Sequence, residues 1–116
     1  MDVAETLDAA ADYIEKNGWC QHMFVAGERT CVLGAIVRTR DLPIAAPERL
    51  GTGTAIAIAP VTDALRRAVG DGVWEWNDAP GRTAAEVIAM LRAAACTERA
   101  REIRVEVALA HERVSA

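Results

Sequence analysis

Val3, Leu7, Ala10 or Ala11, and Ile14 recur at helical spacing, while Glu5, Asp8, Asp12 and Glu15 fall on the opposite face. Residues 2–16 are therefore predicted to form an amphipathic helix. Asp2 with Glu5 reads as a capping box at its start, and Asn17-Gly18 as a left-handed stop at its end. The pattern then changes. Residues 20–25 are a short, partly aromatic run, and Ala26-Gly27-Glu28-Arg29 has turn composition, which predicts a small hairpin between residues 20 and 30. Cys31 to Thr39 returns to helical character through Val32, Leu33, Ala35 and Ile36. Gly34 inside that helix costs about 1 kcal/mol against alanine, a signal that another backbone packs closely there.

Pro43, Pro47, Gly51 and Gly53 make residues 41–54 a predicted loop. Residues 55–59 alternate like a strand, and Pro60 ends that pattern by opening a helix to Val69 with Val61, Leu65 and Ala68 inward. Gly70-Asp71-Gly72 stops it. Residues 73–76 read as a short aromatic bridge and residues 77–81 as a turn. Thr83 with Glu86 is a second capping box, opening a helix that places Val87, Leu91, Ala94 and Ala95 on one face. Beyond residue 96 two spacings coexist. Ile103, Val105, Val107 and Leu109 alternate as a strand would; Ala100, Ile103, Val107, Ala110 and Val114 follow the four-and-three spacing of a coiled coil. No Gly or Pro interrupts the chain from Thr83 to Ala116, which favours a continued helix. The expected architecture is mainly α: a compact bundle of about four helices with a small β-hairpin near residues 20–30. Residues 1–95 form the domain and residues 96–116 a charged C-terminal extension of the last helix.

A chain of 116 residues holds one domain. With 52% hydrophobic and 26% charged residues it is not a disordered sequence. A net charge of −4 without clustered Lys and Arg speaks against nucleic acid as a partner. The longest apolar stretch, residues 50–61, is broken by glycines, threonines and Pro60, short of the ~18 residues a membrane helix needs. The acidic start does not read as a signal peptide, and the odd count of cysteines (Cys20, Cys31, Cys96) suits free thiols in the cytoplasm. No motif calls for a cofactor, so none is expected.

Three segments together carry a family resemblance: Gly18-Trp19-Cys20-Gln21, Cys31-Val32-Leu33-Gly34-Ala35-Ile36, and the run from Trp76-Asn77-Asp78 through Arg82-Thr83 to Glu86-Val87. The chain resembles an uncharacterised family of small domains of actinobacteria and their bacteriophages, over roughly residues 4–95. The resemblance implies a cytosolic setting, in a host cell if phage-encoded, and carries no activity with it. Residues 41–59 look longer than the family's usual link, and the tail after Ala95 does not map onto it.

Some residue sets admit a chemical reading beside a structural one. Cys20, His22 and Cys31 could place two thiolates and an imidazole on one zinc ion, but the paired spacing of common zinc modules is missing and packed thiols explain them as well. Cys31 before a helix, with His22 as base and Asp78 or Asn77 orienting it, could be a nucleophile. Trp76, Asn77, Asp78, Arg82, Thr83 and Glu86, with Trp19, have structural tasks: Trp19 and Trp76 as mostly buried anchors, Asn77 or Asp78 on turn amides, Thr83 as cap. The stripe Glu5, Asp8, Asp12, Glu15 is a solvated face, a surface for a basic partner, or a set of internal partners for Arg66, Arg67 or Arg82. Ile103, Val107 and Val114 form the seam of the tail. Together these features favour a small cytosolic protein-binding protein, with a host protein or a second copy as partner. A small Cys-dependent or metal-assisted enzyme is the alternative.

Overall fold

The computed structural model describes residues 1–115; Ala116, the end of the expected extension, lies outside them. Asp2 caps α1 (Val3–Asn17), its Oδ1 accepting the Glu5 amide at 2.8 Å, so the predicted N-terminus forms as read. Gly18 ends α1 at φ +98°, a conformation that suits glycine. Two short antiparallel strands follow, β1 (Val25–Ala26) and β2 (Arg29–Thr30), paired Val25 to Thr30 and Ala26 to Arg29. They are the hairpin expected between residues 20 and 30. Cys31 caps α2 (Val32–Thr39), accepting the Gly34 amide on Sγ at 3.4 Å. Gly34 is required by contact: a Cβ there would lie 2.1 Å from the Phe24 carbonyl oxygen.

The middle of the chain differs from the expectation. Thr52–Ala57 is a helix, α3, and residues 55–59 form no strand. In helical form the segment satisfies its own amides: Ala55 donates to the Gly51 carbonyl and Ile58 to the Thr54 carbonyl, each at 3.1 Å. The helical turn also lets Thr54 bury its hydroxyl against the Pro43 carbonyl at 2.8 Å and turns Ile58 inward. Next comes α4 (Ala59–Val69), with Pro60 in its first turn. The aromatic bridge is a single helical turn, α5 (Val73–Asn77). Among the described residues there are thus six helices, four long and two short.

The last element, α6 (Ala84–Ser115), has 32 residues, about 48 Å at 1.5 Å per residue. It sets the long axis of a molecule 53 × 29 × 25 Å. Its first half lies along α1. The core gathers Leu7, Ala11 and Ile14 of α1, Val32 and Ile36 of α2, Val61 and Leu65 of α4, and Val87, Leu91 and Ala95 of α6, all fully or almost fully buried. Beyond Glu98 every described side chain of α6 is exposed.

Candidate functional site

Asn77, at the end of α5, is buried and uses its whole carboxamide. Its Oδ1 accepts the Trp19 indole N–H at 2.8 Å and the Val32 backbone amide at 3.1 Å. Its Nδ2 donates to the Cys20 carbonyl at 3.2 Å and to Asp78 Oδ1 at 2.9 Å. One side chain therefore ties the exit of α1, the start of α2 and the turn after α5 together. Gln21 tightens the same junction, donating from Nε2 to the carbonyls of Asn77 and Ala79, each at 3.1 Å. Sequence reasoning placed Asn77 and Asp78 on amides of their own turn. The structure puts them on a segment more than 50 positions away, because the turn lies against it.

Trp19 and Trp76 are each buried over most of their surface, as expected of anchors, though not completely. Each indole packs against the core on one side and meets polar groups at its edge or open face. The Arg82 guanidinium lies 3.9 Å from the Trp76 ring centroid, donates from Nε to the Trp76 carbonyl at 2.9 Å and reaches Glu86 at 3.1 Å. Thr83 and Glu86 form the capping box as read: Glu86 Oε1 accepts the Thr83 amide at 3.1 Å, and Thr83 Oγ1 accepts the Glu86 amide at 3.2 Å. The hydrogen bond from Thr83 leads the groups that hold the Glu86 carboxyl below its ordinary pKa.

The nucleophile reading loses its chemistry here. Cys31 is 1% exposed, and burial pushes its thiol up to about 12, overriding the lowering by the α2 amides. A helix N-terminus lowers a thiol pKa only where the thiolate is not also desolvated. The Cys20 thiol is raised as well, burial being the largest cause. His22 lies in the left-handed region at φ +71°, donates its backbone amide to Asp78 Oδ1 at 2.9 Å, and holds an exposed imidazole 3.6 Å from Asp78 Oδ2. No hydrogen bond joins it to Cys31 among the described residues. Nor does any group of three or more His, Cys, Asp or Glu among them converge to hold a metal ion.

The acidic stripe of α1 is largely an internal surface partner. Arg92 donates to Asp12 at 2.5 Å, to the Asp8 carbonyl at 3.1 Å and to Glu15 at 3.3 Å, and Arg99 pairs with Asp8. These arginines stand in place of the Arg66, Arg67 or Arg82 considered from sequence; Glu5 stays exposed at the start of the stripe. The Asp8 carboxyl is held below its ordinary value, first by the hydrogen bond from Arg99. A second ion pair was missed altogether. Glu98, 4% exposed, takes both Arg67 nitrogens, at 2.6 and 3.2 Å, and Arg101 at 3.2 Å. Arg92 and Arg99, seven apart, share one face of α6, but that spacing does not name α1 as the face they meet.

The distal half of α6 carries the remaining sequence-marked residues. Ile103 is 61%, Val107 63% and Val114 86% exposed. They lie on the side of α6 turned away from the core, whereas Val105 and Leu109, also exposed, continue the line of Leu91 and Glu98 past the end of the bundle.

Comparison with known proteins gives one match: a family model described as a family of unknown function (DUF6197) matches residues 1–97. No curated protein and no solved structure matches.

Proposed function

The chain belongs to the DUF6197 family of unknown function, and we propose that it is a small protein-binding protein whose contact element is the distal half of α6. The observation that carries this reading is the exposure of Ile103, Val107, Leu109 and Val114 on a helix whose described side chains are all exposed after Glu98. An unsupported helix of that length is marginal in water, since most helical stability comes from tertiary packing. Covering these aliphatic groups supplies that packing. The acidic face of α1 is less suited to the task, because Asp8, Asp12 and Glu15 already hold arginines. If the actinobacterial and phage setting implied by the resemblance holds, the partner is a host or defence protein, or another copy of this chain.

Site-specific photocrosslinking in cells tests the reading. A photoreactive residue at Val107 should give a discrete protein adduct, and one at the exposed Glu75 on α5 should not. Absence of an adduct at Val107, with the protein folded and abundant, would overturn it.

A further inference from the structure

The exposed seam of α6 does not begin at Ala100. It runs back through Cys96, Ala93 and Ala89, each exposed, at the same alternation of three and four residues. The strip spans about 38 Å of helix and lies on the side of α6 opposite the buried Leu91, Ala95 and Glu98; at its base Ala93 borders Ala64, Arg67 and Ala68 of α4. Its small residues Ala89, Ala93, Cys96 and Ala100 lie toward the domain and its large ones, Ile103, Val107 and Val114, toward the tip, with Ala110 between the last two. Small faces large if the second helix runs in the opposite direction.

The flanking charges select the same arrangement. The positions bordering the seam are Arg92, Arg99, Glu106 and Arg113 on one side, and Met90, Thr97, Arg104 and His111 on the other. In a coiled coil such positions set partner and orientation. A parallel pair would set Arg99 against the partner's Arg104, a like-charge contact repeated on both sides. An antiparallel pair with Ala100 opposite the partner's Ile103, and Cys96 opposite the partner's Val107, sets Glu106 against the partner's Arg99, again twice, where it joins Asp8 on that guanidinium. The other border then meets as Arg104 with Thr97 and His111 with Met90, without charge conflict. Arg92 comes near the partner's Arg113, but Asp12 and Glu15 already surround Arg92 and leave that corner net negative. Sliding the pair one heptad toward the tips sets Glu106 against Glu106 and Arg104 against Arg104.

Resting on the reading of α6 as a contact element, we propose that its occupant is a second copy of this chain. The two α6 helices pack antiparallel about a two-fold axis between Ala100 and Ile103. Such an interface is isologous, so it closes as a dimer and leaves no free seam to propagate.

The test uses the purified full chain. Light scattering should give twice the 12.4 kDa chain mass. Ile103→Glu with Val107→Glu should give a monomer of unchanged fold, and Val105→Glu, off the seam, should leave the dimer intact. Glu106→Arg should weaken association by roughly tenfold, as both of its pairings turn repulsive. In a Cys96→Ser background, chains with Ala100→Cys and chains with Ile103→Cys should crosslink to each other and not to themselves. Crosslinks between two Ala100→Cys chains, or between native Cys96 residues, would overturn the antiparallel register. A folded monomer at about 100 µM, the upper range for a weak dimer, would overturn the second-copy assignment. The broader reading of α6 would then stand or fall on whether the Val107 adduct in cells is to a different protein.

Discussion

The Trp19 indole donates to the Asn77 carboxamide at 2.8 Å, across 58 positions of the chain. With the amide of Val32 on the same oxygen and the carbonyl of Cys20 on the nitrogen, Asn77 satisfies four bonds inside the protein. Leaving buried partners unmet costs about 1–3 kcal/mol each. Asn77→Ala should therefore destabilise the fold by about 3 kcal/mol or more, read as a lower urea midpoint. Asn77→Asp keeps the acceptor and loses both donors, and it sets a second carboxylate beside Asp78; it should also lose stability at neutral pH. A midpoint within 0.5 kcal/mol of the parent for the alanine variant would show that the clasp contributes nothing.

Gly34 fixes how the hairpin sits on α2. A methyl at that position meets the Phe24 carbonyl at 2.1 Å, and that carbonyl also accepts the Cys31 amide at 3.2 Å. The backbone must move for Gly34→Ala to be accommodated, so the gain in helix propensity is outweighed. The expected loss is about 2–3 kcal/mol, as for overpacking of a tight interior. Gly53→Ala, with open space around the added carbon, should be close to neutral. Thermal melts of the two variants side by side check the contrast.

Thiol reactivity separates packed cysteines from a catalytic one. Cys31 and Cys20 are buried with raised pKa values, Cys31 to about 12, and Cys96 is exposed. In the Ile103→Glu, Val107→Glu monomer, iodoacetamide at pH 7 should label Cys96 first and Cys31 only after denaturation, as mass spectrometry of peptides would show. Fast labelling of Cys31 in the folded chain at pH 6 would restore the enzyme reading.

Capping and periodicity made the ends of α1 and α6, the start of α2 and the hairpin legible before any coordinates. These are local: Asp2, Cys31 and Thr83 accept amides, and Gly18 donates to the Ile14 carbonyl, all within a few residues. The strand-like alternation of residues 55–59 misled because period-two spacing over five residues is also met by a helical turn with Ile58 inward and Ile56 outward. The partners of Asn77, and the pairing of Arg92 and Arg99 with α1, were not legible. They depend on which elements meet, which no spacing within one element encodes. The prominence of Trp19, Asn77, Asp78 and Arg82 was visible in sequence, but the bond that unites three segments was not.

Acid should weaken the fold through Asp8 and Glu98, alongside the Glu86 cap. Asp8 is held low chiefly by Arg99, and Glu98 chiefly by the hydrogen bond from Arg67. Both titrate lower in the folded chain than in the unfolded one. Their contribution is therefore complete above the ordinary values of 3.8 and 4.5, and it is lost as pH falls through the depressed folded values. Urea midpoints should be flat from pH 7 to about 5 and drop below about 4. Glu98→Gln should lower the midpoint at pH 7 and make the acid drop shallower. An unchanged acid slope in that variant would remove Glu98 from the account.

Where α6 stops being core is set by Glu98, the last buried residue of the helix. A chain cut after Arg101 keeps the Glu98 pairs with Arg67 and Arg101 and the Arg99 pair with Asp8. It should fold with a melting temperature within a few degrees of the parent and should not self-associate. A chain cut after Thr97 removes the carboxylate and leaves Arg67 beside a partly buried gap. Because Arg67 is 40% exposed, the loss is discounted from the 3–5 kcal/mol of a fully buried pair to about 1–2 kcal/mol. Comparing the two truncations by denaturation and light scattering separates the roles of the helix's two halves. If the longer truncation unfolds, the projecting half is structural; if it folds and still dimerises, the contact lies elsewhere than the seam of Ile103, Val107 and Val114.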